Sequence, residues 1–111
     1  MISDHGTAMN FVSTRNNAPV ATLSQAIAAG LAPDGGLYVP ERLPAARALQ
    51  PGDDLAATTA ALLAPFFDGD ALAPELAAIC AEAFDFPVPL KPLATPGDHV
   101  LELFHGPTAA F

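Results

Sequence analysis

Residues 11 to 15 read FVSTR, where an aromatic and a β-branched position pass into polar ones, which predicts a short strand; the NNAP that follows turns the chain. The period then changes. In TLSQAIAAGLAPDGG, Leu23, Ala26 and Ile27 recur at helical spacing, Thr22 and Gln25 stand at capping-box spacing, and Gly30 is placed to stop the helix. Pro33 suits the first inner corner of a turn in which Gly35 or Gly36 takes a positive φ. A phosphate cradle at these glycines is the sharper alternative, but neither G-x-G-x-x-G nor G-x-x-x-x-G-K surrounds them. LYVP then reads as a strand that Pro40 ends.

Pro40, Pro44 and Pro51 make residues 40 to 52 a connector. Asp53 or Asp54 can cap a second helix, DDLAATTAALLA, with Leu55, Thr59, Leu62 and Leu63 on one face and Pro65 as its end. DGD at residues 68 to 70 is too short for a calcium loop and reads as a helix-capping turn. In APELAAICAEAF, Pro74 opens a third helix whose stripe is Leu72, Leu76, Ile79, Cys80 and Ala83. FPVPLKPLATPG has too many prolines for a helix and runs extended, and HVLELFHG alternates as a last strand. The pattern predicts an α+β fold with about three short helices and three or four short strands.

Large apolar anchors for a core are few: Phe11, Leu23, Ile27, Leu37, Tyr38, Leu62, Leu63, Phe66, Phe67, Leu76, Ile79, Phe84, Phe86, Leu101, Leu103 and Phe104. The 111 residues are 51% hydrophobic, but much of that is alanine, with no Trp and one Tyr. A net charge of −8 repels phosphate backbones and anionic lipid, so neither nucleic acid nor a membrane is an expected partner. No apolar run approaches the roughly 18 residues of a membrane span. MISDHGTAMN does not read as a signal peptide, which together with the lone Cys80 points to the cytoplasm; residues 1–9 read as a tag or an alternative-start extension.

The residues present no self-sufficient active site. His5, His99 and His105 are scattered, and no metal-ligand spacing occurs. On its apolar stripe Cys80 is a small buried hydrophobe rather than a nucleophile, because no basic neighbour activates it. Ser13, Thr14 and Arg15 form one polar group; the Arg15 guanidinium is either an anion contact or one half of an internal salt bridge. His105 stands beside a Gly106–Pro107 turn, where loops after strands carry function. One alternative is a small acidic interaction module without catalysis, whose apolar tail docks on a partner.

STRNNAPVATLSQAIAAGLAPDGGLYVPERLP, EAFDFPVPL and above all LELFHGPTAAF resemble the threonine synthase family, in order over residues 10 to 111. In that family the last motif continues into a lysine that holds pyridoxal phosphate as a Schiff base, and this sequence stops at Phe111. Many members carry Gly where Asn16 stands, and some lack the Ser-Thr-Arg group.

The resemblance implies the N-terminal domain of a larger fold-type II pyridoxal-phosphate enzyme. The parent makes threonine and phosphate from O-phosphohomoserine and water. Residues 10–98 would be the domain, and residues 99–111 the strand and loop leading to a catalytic body. No catalytic residue lies in this chain, the lysine being expected immediately after Phe111. His105, Gly106, Pro107, Thr108 and Phe111 would lie beside cofactor or substrate. Lys91, between prolines, is a poor place for the cofactor. The piece is then expected to be inactive, to bind no cofactor covalently, to partner the remainder of the enzyme and to self-associate through its C-terminal edge.

Overall fold

A computed structural model describes residues 8–45 and 48–107. Strand β1, Phe11–Ser13, pairs antiparallel with β2, Tyr38–Pro40, placing Phe11 opposite Pro40, Val12 opposite Val39 and Ser13 opposite Tyr38. The other edge of β1 is used as well, because Phe11 and Ala21 exchange N–H···O bonds of 2.9 Å. β1 stops at Ser13 rather than running to Arg15, since the Asn16 N–H folds back onto the Ser13 carbonyl at 2.9 Å and turns the chain.

Helix α1, Leu23–Ala29, starts where its capping box requires: Thr22 Oγ1 accepts from the Gln25 N–H at 3.1 Å, and Gln25 Oε1 accepts from the Thr22 N–H at 2.9 Å. Two orphan donors are thereby satisfied. Gly30 closes the helix with its N–H on the Ala26 carbonyl. Leu23 and Ala26 face inward with Met9, Phe11 and Ala21, and Tyr38, Phe66 and Phe67 pack against this cluster. Ile27, expected on the same stripe, lies 58% exposed on the outer side.

Asp54, not Asp53, caps α2, Leu55–Phe67, with its carboxylate accepting from the Ala57 N–H at 2.8 Å. Pro65 does not end this helix. A helical proline removes one N–H bond and crowds the carbonyl four residues back. Pro65 sits near the end of α2, is itself buried, and is followed by Phe66 and Phe67, whose packing on the core keeps the last turn helical. Leu62 and Leu63, expected to face inward, are exposed; Leu62 instead lines an apolar groove of about 250 Å³ with Leu43, Pro44, Ala61, Pro65 and Phe66.

A 3₁₀ turn, Ala73–Glu75, leads into α3, Leu76–Ala83, which packs on α2 and buries Leu76 and Cys80. Ile79 and Ala83, expected on that stripe, are exposed. Between α2 and the 3₁₀ turn, Asp70 accepts the Ser24 N–H at 3.0 Å, the Ser24 hydroxyl and the Leu72 N–H at 2.9 Å. The expected capping turn is there, but it also clasps the start of α1. Burial works to raise the Asp70 pKa, and these hydrogen bonds outweigh it, leaving the carboxyl below its ordinary value.

The proline-rich stretch contributes β3, Leu90–Pro92, which pairs antiparallel with β4, His99–Leu101. β4 is shorter than the HVLELFHG alternation suggests, because Pro89, next in register opposite Glu102, has no N–H to continue the ladder; the Glu102 N–H still reaches the Pro89 carbonyl at 2.9 Å. All six strand residues are exposed. The radius of gyration is 17.3 Å, against about 13 Å for a compact chain of this length. The outcome is α+β, with three α-helices and four short strands in two separate sheets among the described residues. Among the described residues no helix is long and apolar enough to cross a membrane.

Candidate functional site

Two polar clusters collect the residues that the sequence singled out. The first joins β1 to the turn before β2. Asp34 takes the Ser13 hydroxyl at 2.6 Å on one carboxylate oxygen together with the Gly36 N–H at 2.9 Å, and the Asn17 N–H at 3.0 Å on the other. The Ser13 hydroxyl bond is the main cause of an Asp34 pKa below its ordinary value, with the Gly36 and Asn17 N–H groups and the Arg15 charge adding to it against some burial. Thr14 grips the same turn, its N–H on the Leu37 carbonyl at 2.8 Å and its hydroxyl under the Leu37 N–H at 3.0 Å.

Gly35 takes the positive φ, 85°, and Arg15 lies over it, donating from Nη1 to the Asp34 carbonyl at 3.2 Å. Gly36 is needed for closeness: a Cβ there would stand 2.2 Å from Ser13 Oγ and 3.0 Å from Thr14 Oγ1. The amide groups that a phosphate would need are taken by the Asp34 carboxylate, so the turn is self-filled. Arg15 engages a main-chain carbonyl, with its charge beside the carboxylate. Asn16 has φ 56°, in the left-handed region that glycine tolerates best and asparagine next.

The second cluster is the corner after β4. His105 Nε2 lies 2.9 Å from Glu102 Oε1, with side chains 32% and 22% exposed. The Phe104 ring tilts over the imidazole with centroids 4.5 Å apart. Gly106 presses on Phe86 so closely that a Cβ would fall 2.5 to 2.7 Å from its ring carbons. Phe86 in turn touches Phe84, centroid to centroid 6.2 Å. His105 and Gly106 are thus brought together with Glu102, which sequence reasoning missed, and with Phe86, expected only as a core anchor. Pro107 follows them, exposed; Thr108 and Phe111 lie outside the described residues.

The remaining candidates are placed without forming a site. Cys80 is 1% exposed, between α3 and its neighbours. His99 Nδ1 is 3.2 Å from the Gly97 carbonyl at the ribbon turn. Among the described residues no group of three or more His, Cys, Asp or Glu is arranged to hold a metal ion. Lys91, the sole lysine, lies on β3 opposite Val100, on a wholly exposed strand.

The model of the threonine synthase N terminus matches residues 10–84. The chain belongs to the threonine synthase N-terminal family. It is 38% identical to the threonine synthase of Pseudomonas aeruginosa over 115 residues, covering 93% of this chain and 24% of that one. It is 34% identical to that of Haemophilus influenzae over 105 residues, with the same coverages of 93% and 24%. The crystal structure of the PLP-bound threonine synthase of Brucella melitensis superposes with a TM-score of 0.76 at 39% identity, covering 90% of this chain and 23% of that one. The chain therefore spans about a quarter, 24%, of the length of the relatives it matches.

Proposed function

We propose that this chain is the N-terminal part of a cytoplasmic threonine synthase, the enzyme that converts O-phospho-L-homoserine and water to L-threonine and phosphate. The observation that carries the proposal is the family match over residues 10–84, continued by the sequence LELFHGPTAAF, of which Glu102 meets His105 and Gly106 meets Phe86. Residues 10–98 are then the domain, with Met9 packed into its core, and 99–111 the passage into a catalytic body that is this chain's natural partner. In that whole enzyme His105, Gly106, Pro107, Thr108 and Phe111 flank cofactor or substrate, and Arg15, with Nη1 on Asp34, offers its other N–H groups as an anion contact.

Pyridoxal phosphate, when bound, supplies the electron sink for the reaction. The residues in hand do not fit it as covalent holders: Lys91 is the sole amine side chain, and on exposed β3 it gives water free access to anything bound there. The chain alone is therefore inactive. Phosphate release from O-phosphohomoserine tests both parts, with the 111-residue chain and a full-length enzyme carrying it assayed side by side with pyridoxal phosphate. Turnover by the full-length enzyme alone supports the proposal; turnover by the short chain, or by neither, overturns it.

A further inference from the structure

Resting on that function, we propose that Glu102 is a positioning residue which fixes His105 as a hydrogen-bond acceptor for the water that replaces the substrate's phosphate. A carboxylate only accepts, so at 2.9 Å the proton of the contact belongs to His105 Nε2. In the neutral form of the ring the lone pair then lies on Nδ1, which has no partner among the described residues.

The pair is held from both sides. Glu102 is tied to the ribbon by its N–H on the Pro89 carbonyl, 2.9 Å away. Beyond His105, Gly106 is seated on the Phe86 ring, where no side chain fits. Phe104 covers one face of the imidazole. Backbone anchors before and after, a ring on one face and a carboxylate on Nε2 together leave Nδ1 as the ring's remaining polar atom. What it takes is an O–H or N–H donor, and in a reaction that adds water the donor required is water itself. This is the logic by which a buried carboxylate sets the tautomer of a histidine in a hydrolase, built here on three residues of separation.

Two measurements decide it. In the 111-residue chain, ¹⁵N imidazole shifts should report His105 in the Nε2–H tautomer. Glu102→Gln, whose amide can donate to Nε2, should admit the Nδ1–H form, while a thermal melt shows the fold intact. In the full-length enzyme, Glu102→Gln and His105→Ala should each lower kcat about tenfold, with KM within about twofold of the unsubstituted value. The double variant should be no worse than His105→Ala alone, because both remove one oriented acceptor.

An unchanged tautomer in Glu102→Gln overturns the proposal, as do additive losses or a change in KM instead of kcat. If the unsubstituted full-length enzyme releases no phosphate, the parent function fails together with the role toward water. A tautomer that does not move in an active enzyme sinks this inference alone.

Discussion

Ser24 gives both its backbone N–H and its hydroxyl to the carboxylate of Asp70, 46 residues further along the chain. One acidic side chain thereby caps the first turn of α1 and, through the Leu72 N–H, starts the 3₁₀ turn before α3. Three donors lose their partner when it is removed. Asp70→Ala should destabilise the chain by about 1 to 2 kcal/mol, the upper range for a lost cap, and Asp70→Asn by less. Urea unfolding measures both; equal midpoints for Asp70→Ala and the unsubstituted chain would contradict the clasp.

Asp34 and Asp70 are both more acidic in the fold than outside it, Asp34 through the Ser13 hydroxyl and Asp70 through Ser24 and Leu72 against the pull of burial. A carboxyl whose folded pKa is depressed stabilises the fold where the unfolded group would already be ionised. The gain is complete at neutral pH, declines as pH falls into the range where unfolded aspartate titrates, about 3.9, and is lost below the still lower folded value. Urea midpoints should hold level from about pH 7 to about pH 5 and drop below about pH 4. The Asp34→Asn/Asp70→Asn variant should show a shallower acid decline; an identical slope would reject the assignment.

Asn16 occupies a left-handed backbone position at φ 56°. Glycine there should be neutral or slightly stabilising, whereas Val, which resists this region, should destabilise by about 1 to 2 kcal/mol. Thermal melting of the two variants gives the comparison, and a stable Asn16→Val chain would show that the turn relaxes.

Gly36 and Gly106 are both places where a methyl group has no room, but their neighbours differ. At Gly36 the obstacles include the Arg15 backbone N at 3.1 Å as well as the hydroxyls of Ser13 and Thr14. Gly36→Ala should therefore destabilise by about 1 to 3 kcal/mol, and no single side-chain change should rescue it. At Gly106 the obstacle is one ring. Gly106→Ala should be relieved by Phe86→Ala, so that the double variant melts higher than the sum of the single effects predicts; strict additivity would argue against the contact.

Leu103 and Phe104, 70% and 72% exposed, leave apolar surface open beside the ribbon. Leu103→Ser/Phe104→Ser should reduce any concentration-dependent association of the isolated chain in sedimentation. In the full-length enzyme the same change should weaken activity if the catalytic body covers these residues.

Signals settled within a few residues were legible in the chain. Thr22 with Gln25 gave the start of α1, and proline and glycine placed the turns, because capping and φ restriction are local. Which side of a helix is buried is not local. Ile27, Leu62 and Ile79 satisfy helical spacing as well as Leu23 and Leu76 do, and the choice rests with Phe66, Phe67 and Met9 arriving from elsewhere. Pro65 misled for the same reason, since the packing beyond it outweighs the local penalty. Asp34 and Glu102 escaped notice among twelve acids, although each carried a clue: Asp34 opens a Gly-Gly turn, and Glu102 stands three residues before His105.

Every buried side chain among the described residues belongs to the stretch from Met9 to Cys80. During translation, then, every constituent of the core is synthesised before the proline-rich ribbon. Domains generally condense as units, the N-terminal ones first, so this unit can settle while the sequence bearing His105 is still inside the exit tunnel, and that corner is laid onto a foundation already in place.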